Sequence, residues 1–131
     1  MHKPARLLLF FLTLALLPAL SGCRSADPAA APQAIEQYLN ALVARDQNAM
    51  IAASCAAWEA QARQEFDSFA AVKLELKDLA CQAGEQDGET MLVNCQGEIV
   101  ANYGAENLSI SLERTYQALN EGGEWRMCGY R

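Results

Sequence analysis

The hydrophobic residues of this chain follow two different periods, one before residue 69 and one after it. In the first part, apolar side chains recur every three or four residues, which predicts amphipathic helices. The first predicted helix begins at about Pro32, since proline is tolerated in a first helical turn. Its apolar stripe is formed by Ile35, Tyr38, Leu39, Leu42 and Val43.

Two further helical segments are predicted before residue 69. Asp46 is expected to cap a helix over residues 47–55, because its carboxylate can accept the free amide hydrogens of a first turn. Another segment, either separate or continuous with it, covers residues 56–69. Trp58 and Phe66 lie on its apolar stripe. We interpret them first as core anchors and second as ligand contacts, since an amphipathic stripe needs large apolar residues in any case.

After residue 69 apolar and polar positions alternate, which predicts β-strands. Four strands are expected, over residues 72–81, 91–103, 108–116 and 125–130. The pair Asp87-Gly88 is a strong hairpin signal between the first two. A change of parity near Asp78 and a glycine at Gly97 predict bulges. Helices followed by an antiparallel four-strand meander make an α+β domain, with the N-terminal helices packed on the sheet.

The amino terminus has the pattern of an export signal. Lys3 and Arg6 precede an apolar run of about 14 residues, which is shorter than the ~20 that a membrane-spanning helix needs. The run ends in Leu20-Ser21-Gly22-Cys23, which resembles the lipobox of bacterial lipoproteins. That resemblance implies removal of residues 1–22, lipidation of Cys23, and anchoring on the exported side of a bacterial cell membrane. An ordinary secretory signal with an incidental cysteine is the alternative.

The domain organisation follows from these boundaries. Residues 1–22 are the predicted signal peptide, and residues 23–32, rich in small residues and proline, are a predicted flexible tether. Residues 33–131 form the predicted folded domain.

Charge and composition exclude several functions. The chain of 131 residues has a formal net charge of −6, and loss of Lys3 and Arg6 with the signal leaves 8 basic and 16 acidic residues, or −8. An acidic domain is repelled by nucleic acid, so no nucleic-acid partner is expected. His2, the one histidine of the sequence, is lost as well. We therefore expect no histidine-based catalytic triad, no histidine-ligated metal and no cofactor.

Two segments resemble a known superfamily. Residues 34–50, AIEQYLNALVARDQNAM, resemble the opening helices of NTF2-like (cystatin-like) domains. Residues 121–130, EGGEWRMCGY, resemble the last turn and strand of small bacterial lipoproteins in that superfamily, which include lumazine-binding-like groups. The resemblance covers residues 33–131. It implies a curved sheet that wraps against the helices around a cone-shaped cavity, which serves catalysis in some members and packing or binding in others.

Four cysteines remain in the domain besides Cys23. An even number in an exported domain predicts two disulfides, and a zinc site is disfavoured because there is no CxxC pair. A three-residue turn centred on Gly88 places Cys81 opposite Cys95. Cys55 is then left to pair with Cys128, although spacing alone allows other pairings.

The candidate cavity-lining residues do not include an acid–base pair. They are Trp58, Tyr103, Arg114 and Tyr116. Arg114 and Tyr116 share the apolar parity of the third strand, although an arginine at a strand end is more often in solvent. We therefore expect a non-enzymatic binding or interaction module for an unidentified small-molecule or protein ligand. The alternative is a cavity enzyme of the isomerase or dehydratase type that acts on a small apolar substrate.

Overall fold

Three α-helices precede five β-strands in residues 26–131, the part of the chain that the computed structural model describes. The predicted signal peptide and Cys23 lie outside the described residues. The helices are α1 (Ala31–Val43), α2 (Gln47–Ala52) and α3 (Glu59–Ser68). The strands are β1 (Lys73–Asp87), β2 (Thr90–Asn102), β3 (Asn107–Ser111), β4 (Arg114–Glu121) and β5 (Glu124–Tyr130). Short 3-10 helices precede α1 and α3, at Pro28–Ala30 and Ala56–Trp58.

The first helix is the centre of the core. It lies on one face of the sheet and contacts β1, β2, β4 and β5. The predicted stripe is confirmed, because four of its five residues are no more than 2% exposed and Val43 is half-buried. The α+β class with helices before an antiparallel sheet is therefore as predicted.

Residues 26–32 are part of the domain, which corrects the expected tether. The Asp27 side chain caps the 3-10 helix at the amide of Ala29, and Pro28 is at its first position. The indole Nε1 of Trp125 donates a hydrogen bond of 2.7 Å to the Asp27 carbonyl. A proline and small residues that suggested a flexible segment therefore start a helix, and the buried Ala31 joins the core.

The connection from α2 to α3 follows the edge of the sheet. Asp46 caps α2 as predicted, since its side chain accepts from the Ala49 amide at 2.9 Å. However, α2 ends at Ala52, and Cys55 is not on a helix. The reason is that β5 offers unpaired backbone groups: the Met127 amide donates to Ala53 at 2.7 Å, and the Cys55 amide donates to Met127 at 2.8 Å.

The sheet is entirely antiparallel, with the order β1-β2-β4-β5 and with β3 also paired to β2. The predicted number of four strands is wrong because the third strand breaks in two. The Arg114 amide donates to the Leu112 carbonyl at 2.8 Å, a tight turn around Glu113. The pairs Glu98–Ser111 and Cys95–Arg114 nevertheless keep the same register on both sides of the break.

The bulge in β1, Gly97 of β2 and the break between β3 and β4 lie side by side across the sheet. The pairing of β1 with β2 shifts between Lys77 and Ala80, and the extra residue lies opposite Gly97, as the predicted bulges require. Gly97 has φ +110°, and a Cβ there would be 2.6 Å from the Lys77 carbonyl oxygen. A side chain is therefore excluded at this position by both backbone conformation and space. The Leu112 amide bonds to the Gly97 carbonyl at 2.9 Å, which places the third-strand break beside it.

Both predicted disulfides are present. Cys81 and Cys95 are directly opposed on β1 and β2, with their Cα atoms 4.1 Å apart. Cys55 is joined to Cys128 of β5, with a Cα separation of 5.3 Å. The second bond therefore holds the α2–α3 connection against the edge of the sheet.

The argument that predicted the hairpin pairing was partly wrong. The turn has two residues, Gly88 and Glu89, and not three. A second register shift in β1, between Ala83 and Gln86, adds one residue to that strand. The shorter turn and the extra residue cancel, so Cys81 still meets Cys95.

The two disulfides should contribute unequally to stability. Replacing Cys55 and Cys128 by alanine opens a loop with a sequence separation of 73, against 14 for Cys81 and Cys95. The loop-entropy relation gives losses of about 4 and about 3 kcal/mol in the free energy of unfolding, respectively. Urea unfolding of the two double variants and the wild-type chain measures both losses. A larger loss for the Cys81/Cys95 variant would contradict the ranking.

Candidate functional site

A carboxylate shared by two tyrosines lies where the helices meet the end of the sheet. Glu65 of α3 accepts hydrogen bonds from the Tyr38 hydroxyl of α1 and, at 2.7 Å, from the Tyr130 hydroxyl of β5. The indole Nε1 of Trp58 donates to the Tyr38 hydroxyl oxygen at 3.3 Å. These contacts connect two helices, the 3-10 turn before α3 and the last strand. We call Tyr38, Trp58, Glu65, Tyr116 and Tyr130 the tyrosine cluster.

A bulge in β5 brings Tyr130 to this site. The pairing of β4 with β5 shifts between the Tyr116–Tyr130 pair and the next one, so Tyr130 lies opposite Tyr116 on the helix-facing side. Gly129, in the bulge, has φ +130°. A Cβ at Gly129 would be 3.5 Å from the Trp58 ring. The positive φ therefore favours glycine in the bulge, whereas the Trp58 ring lies at an ordinary contact distance.

Aromatic rings pack around Tyr130. The Trp58 and Tyr116 rings meet it edge-on, with centroids 5.4 Å and 5.2 Å away. The guanidinium carbon of Arg114, whose side chain is exposed, lies 4.8 Å from the Tyr130 ring centroid. Three of the four candidate cavity-lining residues thus come together here.

Tyr103, the fourth candidate, lies elsewhere. It follows the last residue of β2, and its side chain is 54% exposed. It keeps the helix-facing parity of the strand, but it lies beyond the part of the sheet that the helices cover. The alternation of apolar residues therefore predicted on which face of the sheet Tyr103 lies, but not how far its side chain is buried.

Burial keeps the tyrosines protonated. Desolvation is the main cause that raises the pKa of Tyr38 and of Tyr130 far above the ordinary value of 10, and the Glu65 carboxylate raises both further. Desolvation also raises the pKa of Tyr116 to about 12, despite the opposing effect of Arg114. At neutral pH the phenols are therefore donors: Tyr38 and Tyr130 share Glu65 as their acceptor, and the Tyr116 hydroxyl donates to the Leu112 carbonyl at 3.5 Å.

The hydrogen-bonding capacity of the cluster is used internally. Each carboxylate oxygen of Glu65 accepts one phenol, and the Tyr38 hydroxyl both donates to Glu65 and accepts from Trp58. Tyr38 and Tyr116 are no more than 1% exposed. Within residues 26–131, no buried side-chain polar atom lacks a partner. The arrangement joins the helices to the sheet, and each phenol of the cluster donates to a group within the protein.

Glu65 and Tyr130 were not identified from the sequence. A signal for Glu65 was available, because it lies three residues after the buried Ala62 and seven after Trp58, on the apolar stripe of α3. A charged residue on such a stripe indicates a buried polar contact. Tyr130 gave no such signal, since the β5 bulge reverses its parity.

An open concavity lies on another side of the molecule. It is a groove of about 820 Å³ between the start of the described chain, α1, α2 and the β4–β5 turn. Alanines from the three helical segments form much of its wall, with Gln33, Gln37 and Asn40 along α1. Trp125 lies at its base, and no member of the tyrosine cluster lines it. We call this concavity the alanine groove.

Among residues 26–131, no three His, Cys, Asp or Glu side chains are grouped so that they could hold a metal ion. No helix in the same range is long and apolar enough to span a membrane. No family model, curated protein or solved structure matches the chain in comparisons with known proteins.

Alkaline pH should destabilise the fold through the tyrosine cluster. Above pH 10 the unfolded chain releases phenol protons that the folded chain retains, so the free energy of unfolding falls as pH rises. Glu65→Gln removes a charge that raises the pKa of Tyr38 and Tyr130. In a Tyr103→Phe background, its phenolate absorbance should therefore appear at lower pH than in the parent.

Glu59→Gln is the matched control for this titration, because it removes a carboxylate from the first turn of the same helix. It should leave the phenolate titration unchanged. Identical titrations for Glu65→Gln and the parent would show that the carboxylate does not act on these phenols.

Proposed function

We propose that this protein is a lipid-anchored component of the bacterial cell envelope whose NTF2-like domain acts as a non-enzymatic binding or interaction module. The proposal combines the lipobox-like segment with an internally bonded tyrosine cluster and an open groove. Its ligand is a small molecule or a protein that contacts the outer surface of the domain.

The internal hydrogen bonding of Glu65 is the observation that carries the module over the enzyme. An enzyme of the cone-cavity type needs a reachable acid or base in a pocket. Here the carboxylate closest to that role, Glu65, is engaged by Tyr38 and Tyr130, and aromatic rings occupy the space around them. Binding at the alanine groove requires no opening of this packing.

The position of the N-terminal segment supports anchoring close to a membrane. Ala26 already packs against the core, so three peptide units separate it from Cys23. Three extended residues span about 10 Å. A lipid on Cys23 would therefore hold the domain against the bilayer surface, with the alanine groove, which includes Ala26, near that surface.

The disulfides support export of the domain, and the strand topology supports its NTF2-like fold. Two disulfides within one small domain are typical of exported proteins. Helices that precede an antiparallel sheet, with α1 across four of its strands, agree with an NTF2-like arrangement.

Lipidation at Cys23 is tested by metabolic labelling with a palmitate analogue. The wild-type chain should be labelled and Cys23→Ser should not, because the thiol is the acceptor. Gly22→Ala, which keeps a small residue before the cysteine, should remain labelled. Label that persists in Cys23→Ser would refute the anchor.

Binding at the groove is tested by a thermal-shift screen of metabolites and envelope components. A compound that raises the melting temperature of the wild type should have no effect on Ala49→Trp, because the indole fills the alanine groove. Ala60→Trp is the control, since Ala60 is exposed on α3 and does not line the groove. A shift that Ala49→Trp retains would place binding outside the groove.

A further inference from the structure

The edges of the sheet are protected to different degrees. The edge of β5 is covered by residues 53–55 through the two hydrogen bonds to Met127. The outer edge of β1 carries charged residues, and its Cys81 amide is capped by the Glu36 carboxylate at 3.1 Å. In contrast, β3 pairs with β2 on one side, and within residues 26–131 no strand pairs with its other side.

One contact determines which backbone groups of β3 are directed toward β2. The Leu112 amide donates to Gly97, and the register continues unchanged to the Ile99–Ile110 and Ala101–Leu108 pairs. Backbone groups alternate in direction along an antiparallel strand. Leu108 and Ile110 therefore direct their amides and carbonyls toward β2. The outward-directed backbone groups belong to Asn107, Ser109 and Ser111.

This edge also lacks the features that usually prevent strand pairing. Residues 107–111 read NLSIS, with no proline and no charge. Exposed edges are ordinarily blunted by lysine, proline or bulges. The large hydrophobic residues that are exposed in the described part of the chain, Leu108 at 53% and Tyr103 at 54%, both lie at this end of the sheet.

We propose that β3 is a self-association edge, at which two copies of this chain pair antiparallel about a two-fold axis at Ser109. The pairing has to match outward-directed residues with one another, since only then do the free amides and carbonyls of the two strands meet. Axes at Leu108, Ser109 and Ile110 all satisfy this condition. Ser109 is the middle one and gives the longest overlap. Ser109 then lies opposite Ser109 of the partner subunit, and Asn107 opposite Ser111 of the partner subunit.

The side chains of this register are compatible. Leu108 lies opposite Ile110 of the partner subunit on the helix-facing side, so the exposed leucine gains an apolar cross-strand neighbour. Because the two strands run in opposite directions, the start of β3 in one copy lies beside the end of β3 in the other. Glu106 is then on the same side of the pair as Arg114 of the partner subunit, close to it. Arg114 forms no salt bridge within residues 26–131. The pairing needs neither the lipid anchor nor a ligand in the alanine groove.

Single cysteines in the exported full-length chain test the register. Hydrogen-bonded opposed residues have Cα atoms about 5.5 Å apart, a separation that suits a disulfide. Ser109→Cys should therefore form a dimer of twice the monomer mass on non-reducing gels, reversed by reductant. Asn107→Cys is the matched control, because its two copies would be offset by four residues, or about 14 Å, along the strand. It should remain monomeric, whereas Asn107→Cys/Ser111→Cys should crosslink.

A proline provides an independent test of the same edge. Ser109→Pro removes an outward amide that donates to no group within residues 26–131, and edge strands tolerate proline at such positions. In the Asn107→Cys/Ser111→Cys background it should abolish the crosslinked dimer, whereas Ser109→Thr should retain it. Crosslinking by Asn107→Cys alone equal to that by Ser109→Cys would overturn the register. A crosslinked product of a different mass, or none from Ser109→Cys, would overturn pairing with a second copy.

Discussion

Gly97 imposes the constraint on which the arrangement of the sheet depends. Its conformation and the 2.6 Å approach of the Lys77 carbonyl to a hypothetical Cβ exclude any side chain. The bulge of β1 and the break between β3 and β4 are aligned with it across the sheet. The sheet is therefore divided into two parts. One part contains β4 and β5, and the other ends in β3 with an open edge.

The tyrosine cluster shows how a carboxylate can be held among aromatic rings. Removing a charge from water is costly, and the cost is offset only where hydrogen bonds satisfy the group. Glu65 obtains two from phenols that burial keeps protonated. Because Tyr38, Glu65 and Tyr130 belong to three separate elements, the network also fixes their relative positions. We infer that its role is to orient α1, α3 and β5.

Features that have a local signature in the sequence were predicted correctly. Two features that depend on how neighbouring strands pair were missed. The stripe of α1, the Asp46 cap and the bulges at Asp78 and Gly97 were found because each has a local signature. The break at Glu113 was missed, since the register on its two sides is the same and the parity of apolar residues is undisturbed. Tyr130 was missed for the opposite reason, because a one-residue bulge moved it to the other face.

The two tryptophans divide the domain into regions with separate optical signals. Trp125 is 8% exposed, and its indole is bonded to the Asp27 carbonyl, so its emission depends on docking of the N-terminal segment. Trp58 lies against Tyr130 and Gly129 and is bonded to Tyr38, so its emission depends on closure of α3 over β5. Detachment of the chain near the predicted anchor and loosening of the interior are therefore spectroscopically distinct events within one molecule.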